Sequence, residues 1–263
     1  MINMDQIRNL DESVFEEFKL YFEKISVSKF ASNFPSTVAL SQSFTISTNF
    51  IKNSIFDCAE NDDLFAVKIL FRSLIEHYLR FKFVWFHWIK FKTDDESKKY
   101  LEFTNAREIL DTIKSEFDAY KLSNPEFKIG NWNEILNKIP LCENLTKKQI
   151  EEETLKYTYK NIIKLLKEID SDKIESSLFA SLILEYTKLS SFVHGGSASH
   201  NEIFKFGDEA LRKRELERIC SLSFQMAATV KLFSLILFIQ TDKEDFEKSY
   251  LIIDQIIRKI NID

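Results

Sequence analysis

The chain has 263 residues, a formal charge of −5, and 25 phenylalanines against only 4 glycines and 3 prolines. That length allows a substantial core, and the shortage of Gly and Pro removes most of the turn chemistry an all-β fold needs. The acidic balance excludes a global basic field that would coat duplex nucleic acid, while leaving room for one local pocket that engages RNA.

Helical periodicity runs through the chain. Residues 3–26 place Ile7, Leu10, Val14, Phe15 and Phe18 between acidic residues, which predicts an amphipathic helix. Pro35 follows a short polar break, and Ser36 and Thr37 offer caps for a second helix to about Asp57. Residues 61–63 open a third helix, about 64–92, which is apolar almost all round and therefore central. Residues 93–96 begin a fourth, running to about Tyr120. Asn124, Pro125 and Gly130 mark a loop, with a short helix near 132–139 ended by Pro140. Thr146 and Gln149 make a capping-box signature for a charged helix to about Ile169. Residues 170–172 open the helix that runs into S-S-F-V-H-G-G-S-A-S-H at 190–200, and helices at about 207–240 and 242–260 complete the chain. The expected fold is all-α: a bundle of about eight helices in one domain over 1–263, with a small insert at about 121–150.

Residues 219–239 have the length of a membrane span, but Lys231 sits near the middle, where insertion costs roughly 2.5–3.5 kcal/mol. A helix buried in a soluble core is the expectation. Cys58, Cys142 and Cys220 are widely spaced and form no C-x-x-C pair, and residues 1–12 hold no apolar signal region. Packed thiols and a cytoplasmic location are expected. No nucleotide-binding glycine motif is present, and no histidine–acid cluster at ligand spacing, so neither cofactor nor metal is expected.

Two segments could carry chemistry. In R-S-L-I-E-H-Y-L-R, Arg72, Glu76 and Arg80 line one helix face at i, i+4 and i+8. They are read either as an internal ion pair that sets helix register or as an Arg held by Glu76 and aimed at phosphate. His77 is the next residue round. In Y-T-K-L-S-S-F-V-H-G-G, Tyr186, Ser190 and His194 share a face, with Ser191 beside it and Lys188 nearby. Gly195 and Gly196 are natural helix-ending residues, which puts His194 in the last turn. There it is either a helix terminus favoured by the dipole or a general acid/base. Ser197, Ser199 and His200 are expected in a solvated loop.

Together, Arg72…Glu76 and Tyr186…Ser190…His194-Gly195 resemble a divergent group of bacterial HEPN-superfamily domains, which are all-α proteins of toxin–antitoxin and anti-phage systems. The resemblance spans about 40–240 and rests on five or six residues. It implies a metal-independent endoribonuclease, an RNA substrate, a homodimer and a partner protein from the same defence system. Two arrangements stay open: the usual Arg-x4-His pair, Arg72 with His77, or a composite site in which Arg72 and Glu76 face Ser190, Ser191 and His194. The composite is favoured because the last-turn histidine is the more accessible. In either, a histidine would deprotonate the ribose 2′-OH while Arg72, with Lys188, steadies the phosphate. The alternative is a non-catalytic binding or scaffold module whose Arg72–Glu76–His194 network only sets the packing of two helices.

Overall fold

The computed structural model describes residues 3–26, 33–126, 139–169, 176–203, 207–239 and 243–259. Among them there are ten α-helices and no strand: α1 (Met4–Ser26), α2 (Pro35–Glu60), α3 (Leu64–Phe91), α4 (Asp95–Ser123), α5 (Lys147–Leu155), α6 (Tyr159–Ile169), α7 (Ser176–Val193), α8 (Ser197–Ile203), α9 (Glu209–Ile239) and α10 (Lys243–Arg258). A 3₁₀ turn, Pro140–Cys142, precedes α5. The all-α expectation holds. The helix expected near 132–139 and the opening residues 170–172 fall largely outside the described residues.

α3 is the centre. It packs on α2, α4, α6, α7 and α9, and its side chains from Leu64 to Trp88 bury on most sides. The Asp63 carboxylate caps it by accepting from the Ala66 amide at 3.0 Å, and it stops where Lys92 turns left-handed at φ 53°. α2 is capped differently from the expectation. Pro35 is already helical, so Ser36 and Thr37 lie in the first turn as donors rather than as caps. Their amides donate to the Asp94 carboxylate at 2.9 and 2.7 Å, so the α3–α4 connection satisfies the orphan N–H groups of α2.

The Thr146–Gln149 capping box forms, but its helix ends at Leu155 rather than near Ile169. At 156–158 the amides bond three residues back, and Tyr157 turns inward to donate to Glu96 at 2.9 Å and pack on Phe103. A new helix then starts at Tyr159. α9 is the one described helix long and apolar enough to cross a membrane. It packs against α1, α2, α3 and α10, and most of its apolar stretch is inside the protein. All three cysteines are free, with Cys142 and Cys220 buried.

Candidate functional site

The two segments singled out in the sequence meet where α7 crosses α3. Glu76 stands between two arginines of its own helix. One carboxylate oxygen accepts from Arg80 at 2.7 Å, while the other lies 3.9 Å from Arg72 and accepts from the Tyr186 hydroxyl at 3.4 Å. Arg80 also donates to the Tyr100 hydroxyl of α4 at 3.2 Å. Arg72 reaches across to α7, where its Nε donates to Ser190 Oγ at 3.1 Å and an Nη donates to the Tyr186 hydroxyl at 2.7 Å. Its guanidinium carbon sits 4.5 Å from the centre of the Tyr186 ring, a cation–π contact.

Tyr159 of α6 completes the group. Its ring stacks on Tyr186 with centroids 3.5 Å apart, and its buried hydroxyl has no hydrogen-bond partner among the described residues. Burial, then the neighbouring Tyr186 and Glu76, pushes the Tyr159 phenol well above its ordinary range, and burial with Glu76 also raises Tyr186. Both phenols therefore remain proton donors. Arg72, Arg80 and Glu76 are 18%, 26% and 24% exposed, so the cluster is half-buried and open to water along one edge. Its formal charge is +1, and its chemistry is that of hydrogen-bond donors around one carboxylate.

The other candidates are placed elsewhere. His194 follows the last residue of α7 in the turn, is exposed, and its side chain bonds to none of the described residues. Its link to the network is through the backbone: its amide donates to the Ser190 carbonyl at 3.2 Å. Ser191 is committed to structure, since its Oγ accepts from the Ser199 amide at 2.9 Å and so caps the first turn of α8. His77 is packed, with Nδ1–H donating to the Ser73 carbonyl at 2.9 Å and its ring edge-on to Phe44. Lys188 is exposed. The solvated loop expected after the glycines is a helix, and Ser199 is 1% exposed.

The H-G-G sequence makes this corner. Gly195 takes φ +63°, the left-handed conformation that ends α7, and a Cβ on Gly196 would lie 2.7 Å from Ser191 Oγ. One turn before Arg72, buried Lys68 donates to Glu202 of α8 at 2.9 Å and sits over the Phe192 ring, docking the corner on α3. Sequence spacing brought out Arg72, Glu76, Arg80, Tyr186 and Ser190, but not Tyr100, Tyr159 or Lys68. Nothing in their local pattern marks them, because each joins only through the docking of a distant helix. No group of three or more His, Cys, Asp or Glu able to hold a metal ion occurs among the described residues.

The model of a family of unknown function (DUF5677) matches residues 40–211. That stretch is more than half of the chain and contains the whole network, so the chain belongs to that family. Neither the curated proteins nor the solved structures gave a match.

Proposed function

We propose that this member of the family is a non-catalytic helical binding module, in which the Arg72–Glu76–Tyr186–Ser190 network locks α7 onto α3. The lock holds the α7–α8 corner and its exposed His194 in place for a partner. One observation carries this reading: the Nε and one Nη of Arg72 are spent on Ser190 and Tyr186, and none of its donors bonds to His194. A catalytic guanidinium needs its bidentate edge free for a phosphate. Exposed apolar side chains on and around the corner, Val193, Ile203 and Phe65, which packs on Phe192, suit protein contact.

The HEPN-like ribonuclease is the second reading. It is favoured by the short path from Arg72 through Ser190 to the backbone of His194, and by that imidazole's free access to solvent. In it, His194 takes the 2′-OH proton and Arg72 neutralises the phosphate, leaving a 2′,3′-cyclic phosphate. The purified protein incubated with tRNA, rRNA and single-stranded RNA in EDTA separates the two. Binding-module behaviour is no cleavage, together with a melting temperature that falls by several degrees in Arg72→Ala and not in His194→Ala. Cleavage by the wild type that is lost in His194→Ala overturns it in favour of the nuclease.

A further inference from the structure

On the other side of the core, α1, α2 and α9 close on two buried lysines. Lys52 and Lys231 are 1% and 2% exposed. Lys52 is paired with the Asp11 carboxylate and donates to Asn49 Oδ1 at 3.1 Å, and Lys231 donates to the same amide oxygen at 2.9 Å. Two amines thus share one amide oxygen while the carboxylate is taken by Lys52, and with both protonated the Lys231 charge is paired with no carboxylate among the described residues. Lys231 has three N–H groups when charged and a single acceptor among the described residues.

Lys231 also forms part of the wall of a cavity of about 350 Å³, otherwise lined largely by apolar side chains. That lies within the range of roughly 300–1,000 Å³ typical of small-molecule pockets. Phe18 is buried, whereas Phe15, Ile46 and Phe50 are 42%, 44% and 68% exposed, an apolar rim on the surface. Lys19, paired with Glu16, is the other charged group on the lining.

We propose that this cavity binds a small apolar carboxylate, with the acid group on the Lys231 amine and the hydrocarbon body against Phe15, Phe18, Ile46 and Phe50. The carboxylate supplies the counter-charge that Asp11 cannot give to both lysines, and the apolar walls give up their contact with water. Asn49 stands beside the amine on the same lining. Burial, and then the charge of Lys52, lowers the Lys231 pKa to about 7 against the weaker pull of Asp11. Seating an anion raises it again, so binding draws in a proton.

Calorimetric titration of the full chain with decanoate and with decan-1-ol at about pH 8 tests this. Decanoate is expected to bind saturably, with an enthalpy that varies with the ionisation heat of the buffer because a proton is taken up. Lys231→Met is expected to weaken decanoate about tenfold or more, and decan-1-ol to bind the wild type about tenfold or more weakly. Phe50→Asp, at an exposed rim position, is expected to weaken decanoate similarly while leaving the fold intact. No saturable binding of decanoate, equal binding of the alcohol, or undiminished binding by either variant overturns the proposal.

Discussion

The two polar clusters of this bundle hold the same formal charge and handle it in opposite ways. Around Glu76, two arginines share one carboxylate; beside Asp11, Lys52 takes the carboxylate and Lys231 is left with the Asn49 amide oxygen that both lysines contact. A guanidinium stays charged at any accessible pH, so the arginine cluster keeps an edge in water and surrounds itself with the hydroxyls of Tyr100, Tyr186 and Ser190. An amine can give up its proton, so Lys231 tolerates burial with one amide oxygen for company. The first arrangement is a fixed frame between helices, and the second is a titratable wall of a cavity. The residue type, more than the charge count, sets which one forms.

The largest effect should come from breaking the frame. Glu76→Ala leaves two half-buried guanidiniums without their carboxylate, an expected loss of about 3 kcal/mol read as a lower urea midpoint. An unchanged midpoint would mean that water along the open edge already screens the pair. Lys231→Met should act in the reverse direction, with a gain of about 2 kcal/mol at neutral pH, because a methionine fills the site without a buried charge. Its pH dependence follows from the folded pKa of about 7 lying below the ordinary lysine value. Between the two pKa values the unfolded chain binds more protons than the folded one, so this group makes stability rise with pH. The contribution grows from about pH 7 toward pH 10, is lost as pH falls through that window, and is flat below it. The difference between wild type and Lys231→Met, followed by urea unfolding across that window, should therefore shrink with rising pH. A constant difference would show that Lys231 stays charged.

Much of the frame was legible in the sequence because its members repeat at helical spacing. Arg72, Glu76 and Arg80 stand four apart on one helix, and Tyr186 and Ser190 do so on the other. The all-α architecture was legible for the same reason. The element boundaries that differ have tertiary causes: Tyr157 breaks the helix expected to run to Ile169 by turning into the α3–α4 packing, and Asp94 caps α2 from a distant connection. Lys231 stood out as a charge inside an apolar run, which spoke against a membrane span. Its companions Asn49 and Asp11 lie far away in sequence, and no local pattern links them. His194 was legible as the end of a helix, but whether it faces Arg72 depends on where α7 stops, and the left-handed Gly195 turns the chain away at that point.

A smaller effect tests whether the frame couples the two helices or merely lies between them. Arg72→Ala and Ser190→Ala, combined in a double-mutant cycle, should show a coupling of about 1 kcal/mol, the value of one hydrogen bond with a charged donor in a partly exposed setting. Strict additivity would reduce the Arg72–Ser190 contact to coincidence. The Tyr186→Phe variant should couple with Arg72→Ala as well, since the Tyr186 hydroxyl accepts the shorter of the two bonds from Arg72.

The corner that ends α7 offers the smallest and most specific change. At Gly195 an added Cβ meets nothing within 4 Å, so the whole cost of Gly195→Ala comes from the left-handed backbone at φ +63°, about 1 kcal/mol. Gly195→Asn should recover much of that loss, because asparagine visits this conformation more readily than alanine. At Gly196 the cost is steric instead. An alanine Cβ would press on Ser191 Oγ, and the hydroxyl could move only by giving up the Ser199 amide that it caps. Asparagine at 196 should therefore be no better than alanine, whereas at 195 it should be clearly better. Urea midpoints for the four variants distinguish the two glycines, and equal behaviour at both positions would remove the left-handed turn as the reason that α7 stops before His194.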